Sequence, residues 1–175
     1  LLVTAAVTVV TGTVVAAGAV AAGAVAAAEP VRDHRIDPQD YFDLITLGQV
    51  TVSPGGEHVA YIEGRWGRGK EGRRRDLWVV DRDGRRPRRL TFGDMGCAAV
   101  AWAPDGSAVY FVGRQDTGQD VPYDGSRQVW RIRPDGDRLL PLTRAAGGVN
   151  DFVLAGDGRS LYYTVTEETI ADTWH

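Results

Sequence analysis

A repeated unit of about 50 residues is the feature that most constrains the fold of this chain, because repeats of that period are typical of solenoids and propellers. Each unit contains, near its beginning, a turn sequence that starts with a small residue and ends in glycine. The turn sequences occupy residues 53–56, 103–106 and 155–158. Pro54 stands 50 residues before Pro104, which stands 52 residues before Gly156.

Three further features repeat at a single offset of 52 residues. They are Trp78 with Trp130, Asp83-Gly84 with Asp135-Gly136, and Leu90-Thr91 with Leu142-Thr143. Chance similarity does not keep several features in one register, so the unit is a structural repeat.

Each unit has the pattern of four short strands. A small-Pro-Asp-Gly sequence favours a type I turn between the first two strands, because Pro presets φ and Gly accepts the left-handed exit. A longer loop leads to the third strand, which carries Trp78 or Trp130, and Asp-Gly turns that strand into a fourth. Aromatic and β-branched residues run almost continuously through the second and third strands, which is typical of strands buried on both faces.

These patterns predict an all-β fold: a partial β-propeller of about two and a half four-stranded antiparallel blades, preceded by an apolar leader. The predicted blades are residues 46–94, residues 97–146 and an incomplete unit at residues 149–175. A propeller closes a ring of roughly four to eight blades, which leaves no sheet edge free. We therefore expect the chain to be a fragment, truncated at both ends.

The first 28 residues contain no charged side chain and consist almost entirely of Ala, Val, Gly and Thr. Small-x-small sequences at residues 24–26 and 26–28 suit cleavage of a signal peptide, and the length also suits a membrane anchor. Residues 29–45 follow as a polar lead-in. We expect an exported protein, periplasmic or secreted, that meets the membrane only transiently through this leader. The alternative is anchoring by residues 1–28.

The repeats resemble the N-terminal propeller of prolyl oligopeptidase family serine peptidases, especially the acylaminoacyl-peptidase and dipeptidyl-peptidase branch. The resemblance rests on the turn sequences, on Leu-Trp-Val-Val-Asp at residues 77–81 and on Arg-Arg-Leu-Thr at residues 88–91. The lead-in from Asp37 to Leu44 is also similar. The departures are Gly55 in place of the turn Asp and Gly156 in place of Pro.

The resemblance implies a two-domain hydrolase in which the propeller caps an α/β-hydrolase domain with a Ser-Asp-His triad. That domain would place its nucleophile in a Gly-x-Ser-x-Gly elbow. None of the four serines, which are Ser53, Ser107, Ser126 and Ser160, has that setting. The expected function is therefore the substrate-gating part of an exported peptidase that cleaves short peptides, with no catalytic residue in this segment. A non-catalytic periplasmic propeller of the Tol-associated type, which uses similar repeats, is the alternative.

A basic run is the strongest charge feature in a chain whose net charge is −3. It consists of Arg65, Arg68, Lys70, Arg73, Arg74, Arg75, Arg82, Arg85, Arg86, Arg88 and Arg89. We expect these residues on the loop between the second and third strands and on the outer fourth strand, where charge discourages edge pairing. Contact with an anionic lipid or substrate is a second interpretation. Nucleic-acid binding is not expected, because few aromatic residues are interleaved.

The other candidate residues carry weaker predictions. Glu167-Glu168 is interpreted as solvated, with recognition of a substrate amine as the alternative that the family resemblance suggests. His34, His58 and His175 lack ligand spacing, and His58 is expected at the surface, so neither a metal site nor a cofactor is predicted. Cys97 is expected to be a small buried residue. Residues 113–125 are expected to form a polar loop that could reach the propeller mouth.

Overall fold

The computed structural model describes residues 35–67 and 72–165. After the helix α1 (Pro38–Asp43), the described strands form three antiparallel sheets. The first sheet contains β1 (Thr46–Val52), β2 (His58–Trp66), β3 (Arg73–Asp81) and β4 (Arg88–Arg89). The second contains β5 (Ala98–Trp102), β6 (Val109–Asp116), β7 (Asp124–Ile132) and β8 (Leu140–Pro141). The third pairs β9 (Val149–Leu154) with β10 (Leu161–Val165).

The predicted fold class is confirmed, since the strands of each sheet follow one another in chain order as in a propeller blade. The leader, His34, His175 and Glu167-Glu168 lie outside the described residues. No helix within the described ranges has the length and apolar character needed to cross a membrane.

The three repeated turns at residues 53–56, 103–106 and 155–158 form as predicted, and successive turns lie close to one another across sheets. Gly106 N–H donates to Ala103 O at 2.9 Å, and Gly106 has φ +71°. A Cβ at Gly106 would lie 3.9 Å from Pro54 Cδ, and one at Gly158 would lie 3.4 Å from Pro104 Cδ. Each glycine is therefore needed for its left-handed backbone, and it also abuts the proline of the preceding sheet.

The core lies between the sheets. Leu77 and Val79 of the first sheet pack in one buried cluster with Phe111 and Trp130 of the second. The opposite face of the second sheet carries a smaller cluster in which Val112 and Val129 meet Val149 and Phe152. The second sheet is thus buried on both faces, as the continuous apolar pattern of its strands predicts.

The repeated Leu-Thr sequence extends the pairing of the short outer strands. Leu90 N–H donates to Leu77 O at 2.8 Å, and Leu77 N–H donates to Thr91 Oγ1 at 2.9 Å. Leu142 and Thr143 make the same two bonds with Val129, at 2.8 and 2.9 Å. The threonine hydroxyl therefore replaces a backbone acceptor where the outer strand leaves the sheet, which explains why this residue type recurs.

The helix α1 fixes the lead-in against the first sheet. Asp37 caps the helix by accepting a hydrogen bond from Gln39 N–H at 2.6 Å, and Pro38 suits the first helical position. The rings of Tyr41 and Phe42 lie 5.6 and 5.2 Å from the ring of Trp66 at the end of β2. The lead-in therefore reaches the first sheet at the end where β2 turns towards β3.

Two loop predictions need correction. Arg73, Arg74 and Arg75 belong to β3, because the ladder between β2 and β3 continues to the pair Trp66 and Arg73. In the second sheet, β6 continues to Asp116 and β7 begins at Asp124, so only residues 117–123 of the predicted loop connect the strands. Polar side chains mark both segments as exposed, and exposed hairpin strands carry such side chains as readily as loops do.

Candidate functional site

The longer connections between strands gather at one end of the sheets, which we call the loop end. In an antiparallel meander, the β2–β3, β4–β5 and β6–β7 connections leave the same end, whereas the turns with Pro54 and Pro104 lie at the other. Functional residues of rigid scaffolds concentrate on such connecting segments. The loop end is therefore where we place the candidate site.

A half-open cavity of about 650 Å³ lies at the loop end of the second sheet. Its walls come from the β4–β5 connection at residues 92–95, from the end of β6 at residues 114–117, and from Asp124 and Gly125 at the start of β7. The lining carries three aspartates and one arginine, a net charge of −2. Phe92, which is 70% exposed, adds an aromatic surface.

Arg114 joins two walls of this cavity. Its Nη2 lies 2.9 Å from Asp94 Oδ2, and its backbone N–H donates to Met95 O at 2.9 Å. Both charged side chains are about half exposed, so solvent screens the ion pair and it contributes little stability. Its role is to hold the β4–β5 connection beside β6.

The two aspartates on the β6–β7 hairpin are held in place by neighbouring donors. Asp116 Oδ1 accepts from Gly118 N–H at 3.0 Å, and Asp124 Oδ1 accepts from Ser126 N–H at 3.0 Å. Hydrogen bonds from the Ser126 hydroxyl and backbone lower the pKa of Asp124. Asp124 is therefore charged at neutral pH, and the cavity suits groups that are cationic or donate hydrogen bonds.

The polar lining of the cavity consists of aspartates, one arginine, one glutamine and one threonine. Neither serine, cysteine nor histidine is among the described residues that line it. Within the described ranges, no cluster of three or more His, Cys, Asp and Glu side chains suits a metal ion.

Cys97 lies in the core, as the sequence predicts. It is fully buried, and its Sγ lies 3.4 Å from Thr91 Oγ1. Burial raises the pKa of the thiol to about 11, which leaves almost no thiolate at neutral pH.

We expect Cys97 to resist iodoacetamide at pH 8 in the folded chain and to react once urea unfolds it, as measured by mass spectrometry. The raised pKa also makes the stability of the fold depend on pH, because the thiol has a pKa of 9.0 in the unfolded chain and about 11 in the folded one. Between these pH values the unfolded state loses its proton first, so the free energy of unfolding falls as the pH rises. Rapid alkylation of the folded chain would contradict the buried position.

His58 is partly exposed, and it also contacts the second sheet, which the sequence does not indicate. It begins β2, its ring lies 6.3 Å from the ring of Trp102 in the second sheet, and its Nδ1 lies 3.4 Å from Asp81 Oδ1. The side chain is 31% exposed. Trp102 also donates through Nε1 to Thr51 O at 3.2 Å, so both residues belong to the contact between sheets.

Residues 113–125, which the sequence singled out, include Arg114, but nothing in the sequence indicated Asp94 or the ion pair between these two residues, which stand 20 residues apart and outside every repeated motif. The sequence signal that could have indicated these two residues is their position in the repeat. Each lies next to a connection at the loop end, but neither has a counterpart of the same type in the next unit.

Antiparallel sheets whose strands follow in chain order, and which pack face to face in succession, are typical of a β-propeller. No family model matches the chain. The chain is 25% identical over 127 residues to dipeptidyl-peptidase 5 of Porphyromonas endodontalis, which covers 73% of this chain and 17% of that peptidase. The chain thus spans about a sixth of the length of this relative.

Solved structures give the same fold. Uncomplexed acylaminoacyl peptidase of Pyrococcus horikoshii matches with a TM-score of 0.56 at 13% identity, over 75% of this chain and 19% of that one. TolB of Acinetobacter baumannii matches with a TM-score of 0.52 at 22% identity, over 66% of this chain and 26% of that one. The sequence match and the shared fold confirm the predicted resemblance to the propeller portion of a prolyl oligopeptidase family peptidase.

Proposed function

We propose that the chain is the substrate-selecting propeller portion of an exported serine peptidase that cleaves short peptides. Its catalytic α/β-hydrolase domain belongs to the same full-length protein, beyond His175. The similarity to dipeptidyl-peptidase 5 over 127 residues carries this proposal, because a shared propeller fold alone does not decide function.

In this proposal the propeller selects and the hydrolase domain cleaves. A closed ring of blades admits a short or extended peptide and excludes a folded protein by size. The cavity at the loop end adds a charged surface on which Asp116 and Asp124 would interact with cationic or hydrogen-bonding groups of a peptide. Neither exclusion by size nor binding at the cavity requires a nucleophile in residues 1–175.

Export is the second part of the proposal, and it rests on the uncharged apolar segment at residues 1–28. The alternative is a retained anchor at residues 1–28, which would leave the peptidase attached to the membrane.

The direct test is to label the full-length protein with a fluorophosphonate probe, which reacts with activated serines. We expect one labelled serine beyond His175, within a Gly-x-Ser-x-Gly sequence, and no label on Ser53, Ser107, Ser126 or Ser160. Pretreatment with unlabelled inhibitor should abolish the signal. A full-length protein that ends soon after its last blade, or that contains no reactive serine, would overturn the peptidase proposal.

A non-catalytic periplasmic propeller of the Tol-associated type is the second candidate. The observation in its favour is the match to TolB, whose TM-score of 0.52 is close to the 0.56 of the peptidase. The same labelling experiment separates the two, because a binding propeller has no activated serine to label.

A further inference from the structure

The two outermost faces of the stack of sheets have no role in the proposed function. In each sheet, the face turned towards the preceding sheet of the chain is here called the back face, and the face turned towards the next sheet is called the front face. The two core clusters join the first sheet to the second and the second to the third. Among the described sheets, the back face of the first and the front face of the third therefore have no neighbouring sheet.

The second sheet shows how a back face of this type is covered. Phe111 and Trp130 lie opposite each other in the β6–β7 ladder and are 0% and 1% exposed, because they pack on the first sheet. Tyr61 and Trp78 form the equivalent pair of the first sheet, with their rings stacked at 6.5 Å, but both are only partly buried. Val52, on the same face, is 54% exposed. The back face of the first sheet thus has the residues of a contact surface without a partner sheet.

The front face of the third sheet is open in the same way. Val153 and Tyr162 lie opposite each other in the β9–β10 ladder and are 66% and 68% exposed. Their equivalents in the second sheet, Ala101 and Tyr110, also form a pair and pack against the cluster that joins the second sheet to the third. The third sheet therefore presents to solvent the positions through which the second sheet contacts its neighbour.

The repeated turns indicate separately that the first unit has space on its back side. A Cβ at Gly106 or Gly158 would lie within 4 Å of the proline in the preceding turn. A Cβ at Gly56, the equivalent position of the first unit, would meet no atom within 4 Å. The turn at residues 53–56 therefore has room beside it for another turn of the same kind.

The two open faces also have opposite charges in the same region. Arg74 is exposed and lies on the back face of the first sheet, in the part of β3 nearest the loop end. Asp151 is exposed and lies on the front face of the third sheet, opposite Thr164 and in the half of β9 nearest the loop end. Apolar side chains lie nearer the turn end on both faces. The two faces are therefore complementary in charge as well as in apolar character.

We propose that the chain associates with a second copy of itself, so that the front face of the third sheet packs on the back face of the other copy's first sheet. This contact repeats the face-to-face contacts that already join the sheets within the chain. Because the two faces differ, the arrangement is head to tail, and a closed ring covers every such face. Two copies of three sheets each give six sheets, within the roughly four to eight blades of closed propellers. This inference does not depend on peptidase activity.

Sedimentation equilibrium of the full 175-residue chain at increasing concentrations tests the proposal. We expect the mass to rise from 18.9 kDa towards twice that value. Tyr162→Glu on the front face and Val52→Glu on the back face each place a charge in the apolar contact, so each should weaken dimerisation at least about tenfold. Both side chains are more than half exposed in the single chain, so both variants should keep the wild-type circular dichroism spectrum.

A mixture of the two variants distinguishes a head-to-tail contact from other forms of association. An equal mixture retains one unaltered pair of faces, so it should form dimers at concentrations where neither variant does so alone. Leu140→Glu, at a 49% exposed position on β8, is the matched control and should dimerise like the wild type.

Three results would overturn the proposal. Association that survives both face variants would show that another segment drives it. A loss confined to one of the two variants would show a contact between identical faces. A wild-type chain that stays monomeric at every concentration would leave the two faces to further units of a longer protein.

Discussion

Replacing Trp130 with alanine is expected to lower the free energy of unfolding by about 3–5 kcal/mol. Its side chain is 1% exposed, packs between the first and second sheets, and donates through Nε1 to Gly113 O at 3.0 Å. Truncation leaves a cavity in the core and an unpaired carbonyl. Urea unfolding followed by far-ultraviolet circular dichroism measures the change.

The repeat supplies the control for this prediction. Trp78 holds the equivalent position in the first sheet, but it is only half-buried, stacks on Tyr61 at 6.5 Å, and its Nε1 has no hydrogen-bond partner among the described residues. Trp78→Ala should therefore cost roughly half as much stability. Equal losses at the two positions would contradict the described stacking, in which the first and second sheets together enclose Trp130 while Trp78 stays partly open to solvent.

The second large effect is expected at Thr143, where valine keeps the shape of the side chain but removes its hydroxyl. Thr143 Oγ1 donates to Gln128 Oε1 at 2.8 Å and accepts from Val129 N–H at 2.9 Å, and all three residues are buried. Thr143→Val leaves a buried backbone donor unpaired, and we expect a loss of about 2–4 kcal/mol in the same unfolding measurement.

Thr91→Val is the matched variant in the first sheet. Thr91 accepts from Leu77 N–H at 2.9 Å, but its other neighbour is the sulfur of Cys97 at 3.4 Å, which is a weak hydrogen-bonding group. The loss should be about 1 kcal/mol smaller than at Thr143. A neutral Thr143→Val would refute the idea that the threonine hydroxyl replaces a backbone acceptor in each repeat.

The strands and turns could be predicted because each is encoded locally. The turns depend on a proline and a glycine within four residues, and the third strand on an apolar run around Trp78 or Trp130. Because these signals repeat at one offset, the order of the strands within each unit could be predicted as well. The prediction that Cys97 is buried succeeded for a similarly local reason, since a lone uncharged thiol next to a strand favours the core.

Contacts between sheets could not be predicted in the same way. His58 is partly buried beside Trp102 of the next sheet, and nothing near His58 in the sequence indicates that neighbour. Arg114 and Asp94 meet because the β4–β5 connection passes the end of β6, and the two segments have unrelated sequences. Loop sequences do not repeat, so the internal comparison that identified the strands gives no information about the cavity.

The length difference between the first two units lies at the loop end, in the hairpin between the second and third strands. Pro54 to Trp78 is 24 residues and Pro104 to Trp130 is 26, whereas Trp78 to Pro104 and Trp130 to Gly156 are both 26. The extra residues fall in the second unit's hairpin at the loop end, opposite the glycines that rest on prolines. The turn side works as a spacer that sets the distance from one sheet to the next. The opposite side can therefore gain or lose residues, and with them new binding surfaces, without disturbing the stack.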